Sequence, residues 1–457
     1  MTKKYHIHTF GCQMNVHDSE KISGILGKQG LVEIKGSKGA DLIVLNTCSI
    51  REKAEHKFYS ELGRLNKVKK SRPELKIAVA GCIAQQRGKA LYKQFPYIDF
   101  IMGPDNIDKI EDWVKGIDEE SDKPQLIMPK LKRTTAIEHN PDYHHLTLPM
   151  NRAGGVSAWV SIMYGCDNFC AYCVVPFTRG RERSRAGADI YNEVKDLVAQ
   201  GYKEVTLLGQ NVNSYGRKGD GEMDFPDLLK SIHDIEGLER IRFVTSHPRD
   251  FSEKLVDIMI DLPKVCRHIH LPIQSGSDHV LGLMNRGYTL NDYREKIEYL
   301  RSRINDIAVT SDIITGFPGE SEEDHQVTMA MLAEFKFDRI FAFKYSKRPG
   351  TKALELSDHL DEVVKSRRHS EILELQEDIM EKKNSVLESE ILEVMVEGPS
   401  ASDSGKMTGR TVTDKIVNFN GSPSDIGKLL LLRITKVRQH SLDAERTDLS
   451  VIEEEFA

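Results

Sequence analysis

Long apolar runs and a signal sequence are absent from this chain. None of its 457 residues belongs to an apolar stretch approaching the ~18 to 20 residues of a membrane span. The first residues, Met1-Thr2-Lys3-Lys4-Tyr5, lead directly into an alternating pattern and not into the apolar core of a signal peptide. We therefore expect a cytoplasmic protein that has no membrane partner.

A basic excess is absent as well, since 64 Lys and Arg stand against 70 Asp and Glu and give a net charge of -6. This balance excludes a nonspecific nucleic-acid coat, so any contact with a polyanion must be local. Hydrophobic residues make up 39% of the chain, which excludes disorder as its main state. At roughly 150 residues for each domain, the length predicts about three domains.

Cysteines are few, seven in all. An odd number of thiols in a large intracellular chain argues against a disulfide framework as the reason for their placement. Metal or redox chemistry is the better hypothesis.

Residues 3–118 alternate short apolar strands with helical patterns, which predicts a parallel α/β domain. The strands are predicted at residues 5–10, 41–46 and 76–80, and the first two helices at about 18–29 and 51–68. Residues 119–150 are irregular and carry Asp, Asn and Pro, so we interpret them as a linker that runs over the surface.

Residues 151–384 repeat the order strand, helix six times. A closed (β/α)8 barrel needs eight such units, so the pattern predicts a partial, TIM-like (β/α)6 barrel whose open side suits a large substrate. A charged helix at 361–388 leads into residues 385–454, where short strands split by glycines predict a small β-barrel. The six barrel strands are predicted at 159–163, 204–208, 240–245, 268–273, 308–313 and 339–344.

Three cysteines, Cys166, Cys170 and Cys173, follow the first barrel strand in a CxxxCxxC pattern. Barrels of this type carry their active sites at the carboxyl ends of the strands. Because no fourth Cys or His stands at zinc spacing, the set suits an iron–sulfur cluster that leaves one iron without a protein ligand. A zinc site completed from elsewhere and a group of plain buried thiols are the alternatives.

Cys12, Cys48 and Cys82 are far apart in the sequence, yet each directly follows a predicted strand. The carboxyl ends of parallel strands share one edge, so we expect a second three-cysteine site there, facing the first across a gap. Three independent core thiols are the alternative. The seventh cysteine, Cys266, is expected to be buried and inert.

The CxxxCxxC loop, with the aromatic Tyr172 before its last cysteine, resembles the radical S-adenosylmethionine enzymes. That resemblance implies that Cys166, Cys170 and Cys173 hold a 4Fe-4S cluster. The amino and carboxylate groups of S-adenosylmethionine then chelate the fourth iron of this cluster, and one electron yields a 5'-deoxyadenosyl radical. The cofactor carries the hard chemistry and the protein supplies orientation.

Over essentially its whole length the chain also resembles the methylthiotransferases. Gly11-Cys12-Gln13-Met14-Asn15 and Cys48-Ser49-Ile50-Arg51 are similar to the branch that modifies tRNA, whereas the branch that modifies a ribosomal protein resembles Gly-Cys-Pro-Lys-Asn at the first motif. A third branch, which acts on N6-threonylcarbamoyladenosine, matches less well. The resemblance implies a second 4Fe-4S cluster on Cys12, Cys48 and Cys82, and a TRAM domain as the last β-barrel. The implied product is 2-methylthio-N6-isopentenyladenosine beside the anticodon.

Glycines and polar side chains follow several barrel strands and suit a zwitterionic, nucleoside-containing ligand. His247 is interpreted as a supporting residue, because hydrogen abstraction by a radical needs no general base. No catalytic residue is expected beyond the six cluster cysteines. By resemblance, the S-adenosylmethionine contacts are Tyr172, Gly209, Gln210, Ser246, Gln274 and Ile314.

Basic residues mark the candidate RNA surface. Arginines alternate from Arg179 to Arg185, and in an extended chain this spacing predicts a clamp for phosphate or carboxylate, with a solvated charge run as the alternative. The residues expected to contact RNA are Arg181, Arg183, Lys344, Arg348, Arg410, Lys415 and Phe419.

The resemblance also implies the partners. The substrate is a tRNA anticodon stem-loop carrying N6-isopentenyladenosine, the electron donor is a flavodoxin-like or ferredoxin-like protein, and the chain is expected to be a monomer. Two other functions are open at this point: methylthiolation of a ribosomal protein aspartate, and a noncatalytic iron–sulfur RNA-binding protein.

Overall fold

A computed structural model describes residues 2–49, 52–121, 133–143, 147–217, 223–401, 403 and 405–447. Ile50 and Arg51 of the second cysteine motif lie outside the described residues, as do parts of the expected linker and the last residues of the final domain. Within the described part, no helix is long and apolar enough to cross a membrane.

The first domain is a parallel sheet with helices on both faces. Its strands pair in the order β2-β1-β3-β4-β5-β6, all parallel. Apolar side chains of the sheet pack on both sides, which explains the near-continuous apolar runs of β3 and β4. The strands are β1 (Lys4–Phe10), β2 (Val32–Glu33), β3 (Leu42–Thr47), β4 (Lys76–Gly81), β5 (Phe100–Met102) and β6 (Thr134–Ala136), and the helices are α1 (Gln13–Lys28), α2 (Glu52–Ser71), α3 (Cys82–Arg87), α4 (Ala90–Gln94) and α5 (Lys109–Ser121).

Two expectations for this domain need correction. Strand β6 lies inside the region interpreted as an irregular linker, where it pairs with β5 as the last strand of the sheet. A three-residue edge strand takes its conformation from its neighbour, so its own sequence carries no clear signal. Helix α1 begins at Gln13, earlier than expected. No sequence signal marks this start, because the N-cap residue is Cys12 and not one of the usual capping residues.

The second domain is the partial barrel. Two three-stranded parallel sheets, β11-β10-β7 and β12-β13-β14, adjoin where the Ser246 amide donates to the His270 carbonyl at 3.2 Å. The strands are β7 (Ser157–Ser161), β8 (Met163–Tyr164), β9 (Arg183–Ser184), β10 (Glu204–Leu208), β11 (Arg240–Phe243), β12 (His268–His270), β13 (Ala308–Thr315) and β14 (Arg339–Lys344).

Helices cover the outside of this barrel and enclose the largest apolar core among the described residues. Helix α12 starts at a capping box formed by Ser321 and Asp324, and α11 starts at another formed by Thr289 and Asp292. The helices are α6 (Val175–Thr178), α7 (Gly187–Ala199), α8 (Phe225–His233), α9 (Glu253–Asp261), α10 (Asp278–Leu283), α11 (Leu290–Arg303), α12 (Glu322–Phe335) and α13 (Glu362–Ser385).

The chain ends in a small closed β-barrel with strand order β15-β16-β17-β19-β18. Closure removes exposed strand edges and buries a compact apolar interior. The expected α/β fold class, with its partial (β/α)6 barrel and a terminal β-barrel, is confirmed. The strands are β15 (Ile391–Pro399), β16 (Met407–Thr411), β17 (Ile416–Phe419), β18 (Leu429–Val437) and β19 (Leu442–Arg446).

Candidate active site

Cys12, Cys48 and Cys82 lie at one edge of the first sheet. Cys12 follows β1, Cys48 follows β3 and Cys82 opens α3 directly after β4, and these three strands are neighbours. At Gly11, whose φ is 133°, an added Cβ would lie 2.3 Å from the Cβ of Cys48, so only glycine allows the two loops to meet this closely.

The electrostatics of this edge favour thiolate. The side-chain hydrogen bond from Cys48 is the largest influence on Cys12 and, with the charge of Arg179, it lowers the pKa of Cys12 to about 6 against the opposing effect of burial. Burial raises the pKa of the Cys82 thiol, while Arg179 acts on it in the opposite direction. A low-pKa thiol beside a guanidinium is a good metal ligand, because thiolate is the ligating form.

Arg179 comes from the second domain, just beyond α6. Its Nη2 donates to Oδ2 of Asp18 on α1 at 2.7 Å, and both side chains are buried. Helix α3, which begins at Cys82, packs against α6, which follows Cys173. The edge of the first domain that carries Cys12, Cys48 and Cys82 therefore adjoins the segment that follows Cys173.

Cys166, Cys170 and Cys173 occupy the loop between β8 and α6. Arg286 Nη1 donates to Cys170 Sγ at 3.3 Å and to the Tyr172 hydroxyl at 3.2 Å, which orients the loop. Burial raises the pKa of Cys166 to about 11 and raises the pKa of Cys173 as well. These thiols would release protons only on binding a metal, since metal ligation requires the thiolate.

Across the described part of the chain, no three His, Cys, Asp or Glu side chains are arranged to hold a single metal ion. A four-iron cluster sets a different requirement, because each cysteine ligates its own iron and the sulfurs stand around a bulky group. Two sets of three thiols, each at the carboxyl edge of a sheet, fit that donor pattern.

The mouth of the barrel holds polar atoms that lack partners. Five buried side-chain atoms at the strand ends make no hydrogen bond within the described residues: Gln210 Oε1, Ser246 Oγ, His247 Nε2, Gln274 Oε1 and Thr315 Oγ1. Unpaired buried polar atoms are costly, and their convergence marks a place for a polar ligand. The amino-acid, ribose and adenine groups of S-adenosylmethionine could use them.

The backbone is strained at or next to two of the residues that carry these unpaired atoms. Gln274 has a φ of 78° and Thr245, the residue before Ser246, has a φ of 69°, although neither is glycine. Such conformations cost free energy and occur mostly at functional sites. His247 Nδ1 accepts a hydrogen bond from the Arg249 amide at 3.2 Å, and burial lowers the pKa of His247 to about 2, so this imidazole is neutral.

Three other residues expected at the cofactor lie close to this mouth. Tyr172 packs near Ile314 in a small apolar cluster under the loop. At Gly209 an added Cβ would lie 2.6 Å from Cγ of Met163, so its small size allows the barrel interior to pack.

The expected arginine clamp is wrong. Instead of projecting together, the four arginines each meet a different carboxylate: Arg179 pairs with Asp18, Arg181 with Asp167, Arg183 with Asp105 and Arg185 with Glu193. Extended spacing predicted one direction, but buried carboxylates of several elements surround the segment. Arg181 alone among the four keeps a largely exposed side chain, at 72%.

Two further RNA candidates, Arg348 and Lys344, form ion pairs with carboxylates of this chain. Arg348 is buried, and its Nη1 lies 2.5 Å from Glu55 of the first domain, which joins the two domains. Lys344 is partly exposed and pairs with Glu362 at 3.1 Å.

Two of the three RNA candidates of the last barrel, Phe419 and Lys415, do not present their side chains on an open surface, which corrects the expectation for these two. Phe419 is fully buried in the barrel core. Lys415 Nζ donates to Asn384 at 2.8 Å, so this side chain faces the second domain. Arg410 meets that domain only through its backbone carbonyl, which accepts from Arg240 at 2.6 Å. The Arg410 guanidinium pairs with Asp414 and Glu397.

Sequence reasoning missed Asp18, Arg179 as its partner, and Arg286. Their roles depend on contacts between residues more than a hundred positions apart, for which no local pattern exists. The one available signal was the Asp18-Ser19-Glu20 run after the first cysteine motif, which placed acidic side chains near that edge.

Family models match three parts of the chain. Residues 4–103 match the uncharacterized protein family UPF0004, residues 160–332 match the radical SAM superfamily, and residues 386–446 match the TRAM domain. The solved radical S-adenosylmethionine methyltransferase TsrM from Kitasatospora setae, with cobalamin and a 4Fe-4S cluster bound, has a similar fold, with a TM-score of 0.56 and 16% identity over 78% of this chain and 77% of that one. The fold and the cysteine loop thus define a radical S-adenosylmethionine enzyme, a class that uses S-adenosylmethionine and a 4Fe-4S cluster.

Curated relatives narrow the class. A tRNA-2-methylthio-N(6)-dimethylallyladenosine synthase of Thermodesulfovibrio yellowstonii is 50% identical over 96% of this chain and 98% of its own length. The protein of the same name from Carboxydothermus hydrogenoformans is 46% identical over 96% of this chain and 98% of its own. The chain belongs to this family of methylthiotransferases, and the resemblance seen in its cysteine motifs is confirmed.

Proposed function

We propose that the chain converts N6-isopentenyladenosine next to the anticodon of tRNA to its 2-methylthio derivative. The names of its relatives, to which it is similar over nearly their whole length, support this substrate. The observation that carries the proposal is that two sets of three cysteines follow strands of the first and second domains, and that the buried Arg179–Asp18 pair connects these two places. One site suits the generation of a radical, and the other suits the delivery of sulfur.

In this proposal Cys166, Cys170 and Cys173 hold one 4Fe-4S cluster, and Cys12, Cys48 and Cys82 hold a second. When bound, the clusters and S-adenosylmethionine supply one-electron cleavage of a carbon–sulfur bond, a methyl group and the inserted sulfur. Such chemistry is needed because C2 of adenine carries a hydrogen of no useful acidity and no leaving group.

The chain's own residues bind S-adenosylmethionine and orient the cysteine loop. Ser246, Gln274 and Gln210 offer unpaired polar atoms to S-adenosylmethionine. Arg286 fixes the cysteine loop through Cys170 and Tyr172. His247 stays neutral and holds the turn after β11, so it supplies no general base. Four of the six cluster cysteines are buried, and Cys12 and Cys173 are half-buried, which limits the access of water to reactive species.

The partners follow from this function. A tRNA anticodon stem-loop suits the open side of the barrel, because its splayed bases can be read individually. A flavodoxin-like or ferredoxin-like protein supplies the electron, the chain acts as a monomer, and the reaction takes place in the cytoplasm with its tRNA substrate. Of the RNA candidates named from the sequence, exposed Arg181 and partly exposed Lys344 and Arg410 are the ones that can contact RNA.

The proposal is tested by replacing Cys12, Cys48 and Cys82 together with Ala. The variant should still form 5'-deoxyadenosine from S-adenosylmethionine and reductant, and should make no methylthiolated RNA. Replacing Cys166, Cys170 and Cys173 should abolish both. Unchanged product from the first variant refutes the division of labour, and methylthiolation of a ribosomal protein in place of tRNA assigns the chain to the alternative substrate.

A further inference from the structure

Strand β14 exposes two large aromatic side chains. Phe341 is 42% exposed and Phe343 is 40% exposed, while the intervening Ala342 and the preceding Ile340 pack against the apolar core. Among the described residues β14 pairs with β13 alone, so it forms the open edge of the partial barrel. We call Phe341 and Phe343 the edge phenylalanines.

The edge phenylalanines point into the barrel. Phe341 stands in register with Asp312 and Phe343 with Ile314, and neighbours in register on parallel strands share one face of the sheet. The opposite face of β13 carries Val309 and Ile313, which pack in the core beneath the covering helices. The Phe341 ring also lies 5.9 Å from the ring of His270 on β12.

This apolar surface adjoins a polar mouth. Ile314 lies beside Phe343, and its amide donates to the carbonyl of Gln274 at 2.9 Å. The next residue is Thr315, whose hydroxyl is one of the unpaired buried atoms. Polar groups for a nucleoside-containing cofactor therefore meet an apolar patch at the open side. Exposed apolar surface of this kind, next to a ligand site, marks a place for an apolar ligand group.

We propose that the edge phenylalanines receive the N6-isopentenyl group of the substrate adenosine and so select prenylated RNA. This inference rests on the proposed function and names the residues that read its substrate. The prenyl group is a five-carbon apolar substituent, and the edge phenylalanines form an apolar surface that opens to the side from which RNA enters. The adenine of S-adenosylmethionine is the competing occupant, and the test separates the two.

The test measures dissociation constants of anaerobic, cluster-loaded protein for an anticodon stem-loop with and without the isopentenyl group. A single methylene in an apolar pocket is worth about 10-fold to 200-fold in discrimination, so the unaltered protein should prefer the prenylated loop by about tenfold or more. Phe341→Ala combined with Phe343→Ala should bring this ratio close to one, with little change in affinity for the unmodified loop. Phe343→Leu should keep most of the preference.

Tyr191→Ala is the matched control, because Tyr191 is an exposed aromatic residue on α7, on the outer side of the barrel. It should keep the full preference. If the double variant does not fold, as judged by circular dichroism and iron content, Phe343→Ala alone should still lower the ratio by at least threefold.

Two results overturn the inference. One is a double variant that keeps the preference for the prenylated loop. The other is a variant that loses affinity for S-adenosylmethionine while the preference is kept, which assigns the edge phenylalanines to the cofactor. If the unaltered protein itself does not distinguish the two loops but still cleaves S-adenosylmethionine, the substrate of the proposed function fails, and the inference fails with it.

Discussion

Asp18 and Arg179 form a buried salt bridge between the first and second domains, with 2.7 Å between Oδ2 and Nη2. Although burial opposes the charge of Arg179, Asp18 and the thiols of Cys82 and Cys12 raise the pKa of its guanidinium. One ion pair thus connects the helix that follows Cys12 with the segment that follows Cys173. It holds the two thiol-bearing edges in a fixed relation.

Replacing Arg179 with Gln should destabilise the protein strongly. Removing one partner of a buried pair leaves the other charge uncompensated and costs about 3–5 kcal/mol. The shift in the midpoint of urea unfolding measures this effect, and adding Asp18→Asn should recover part of it. Arg181→Gln is the matched control, since that exposed pair with Asp167 contributes about 1 kcal/mol or less. Equal shifts for the two arginines would refute the structural role of the buried pair.

Loss of the unpaired polar atoms should weaken cofactor binding. Gln274→Gly removes the side chain at a residue whose φ of 78° glycine adopts without strain, and Ser246→Ala removes a hydroxyl without a partner. Each should raise the dissociation constant for S-adenosylmethionine by about 2-fold to 10-fold, the usual effect of one hydrogen bond. Equilibrium dialysis checks the effect, with Ser302→Ala on the exposed side of α11 as the control. Binding that is unchanged in both variants contradicts the assignment.

His247 should make the protein sensitive to acid. Burial, followed by the charges of Arg286 and Arg249, lowers the pKa of His247 to about 2, whereas its ordinary value is 6.5. A depressed pKa adds stability that is fully present above pH 6.5 and is lost as the pH falls towards 2. At pH 5.5 the loss is about 1 kcal/mol for one group.

His247→Asn tests this dependence, because the Asn side chain can still accept from the Arg249 amide at the N-cap. Between pH 7.5 and 5.5 the thermal midpoint of the variant should fall less than that of the unaltered protein. Identical pH profiles would show that His247 is protonated without cost in the folded state.

Arg240 should anchor the last β-barrel. Its side chain is almost fully buried, donates to the Arg410 carbonyl and pairs with Glu393 at 2.8 Å. Arg240→Leu should loosen the contact between the domains and speed protease cleavage between Ser385 and Ile391, where α13 ends and β15 begins. Arg267→Leu removes an exposed arginine of the same domain and should not change the cleavage rate. Equal rates in all three proteins would contradict the anchoring role.

Local patterns in the sequence predicted much of the fold. Strands β10 and β14 lie at the predicted residues, because their apolar runs end at clear turn signals. The Gly-Cys pairs at the ends of β1 and β4 marked the sheet edge, since the order of strand and turn is a local property. Strand β6 was missed because its pairing with β5 supplies its conformation.

The candidate site was harder to predict where it depends on distant residues. The sequence shows that Arg183, Arg410 and Lys415 carry charge, but it does not show the carboxylates and carbonyls that surround them in the fold. The side chains of Arg183 and Lys415 therefore serve contacts between domains, and that of Arg410 pairs with carboxylates of its own barrel. Phe419 was misjudged for a related reason, because alternation on a short strand does not reveal which face closes the barrel.

Iron and sulfide analysis of anaerobically reconstituted protein tests the central claim most directly. Two cysteine-ligated four-iron clusters require about eight irons for each chain, and replacing either thiol set with Ala should leave about four. About four irons in the unaltered protein, lost only when Cys166, Cys170 and Cys173 are replaced, would contradict the account. Cys12, Cys48 and Cys82 would then be thiols at a sheet edge without a cluster.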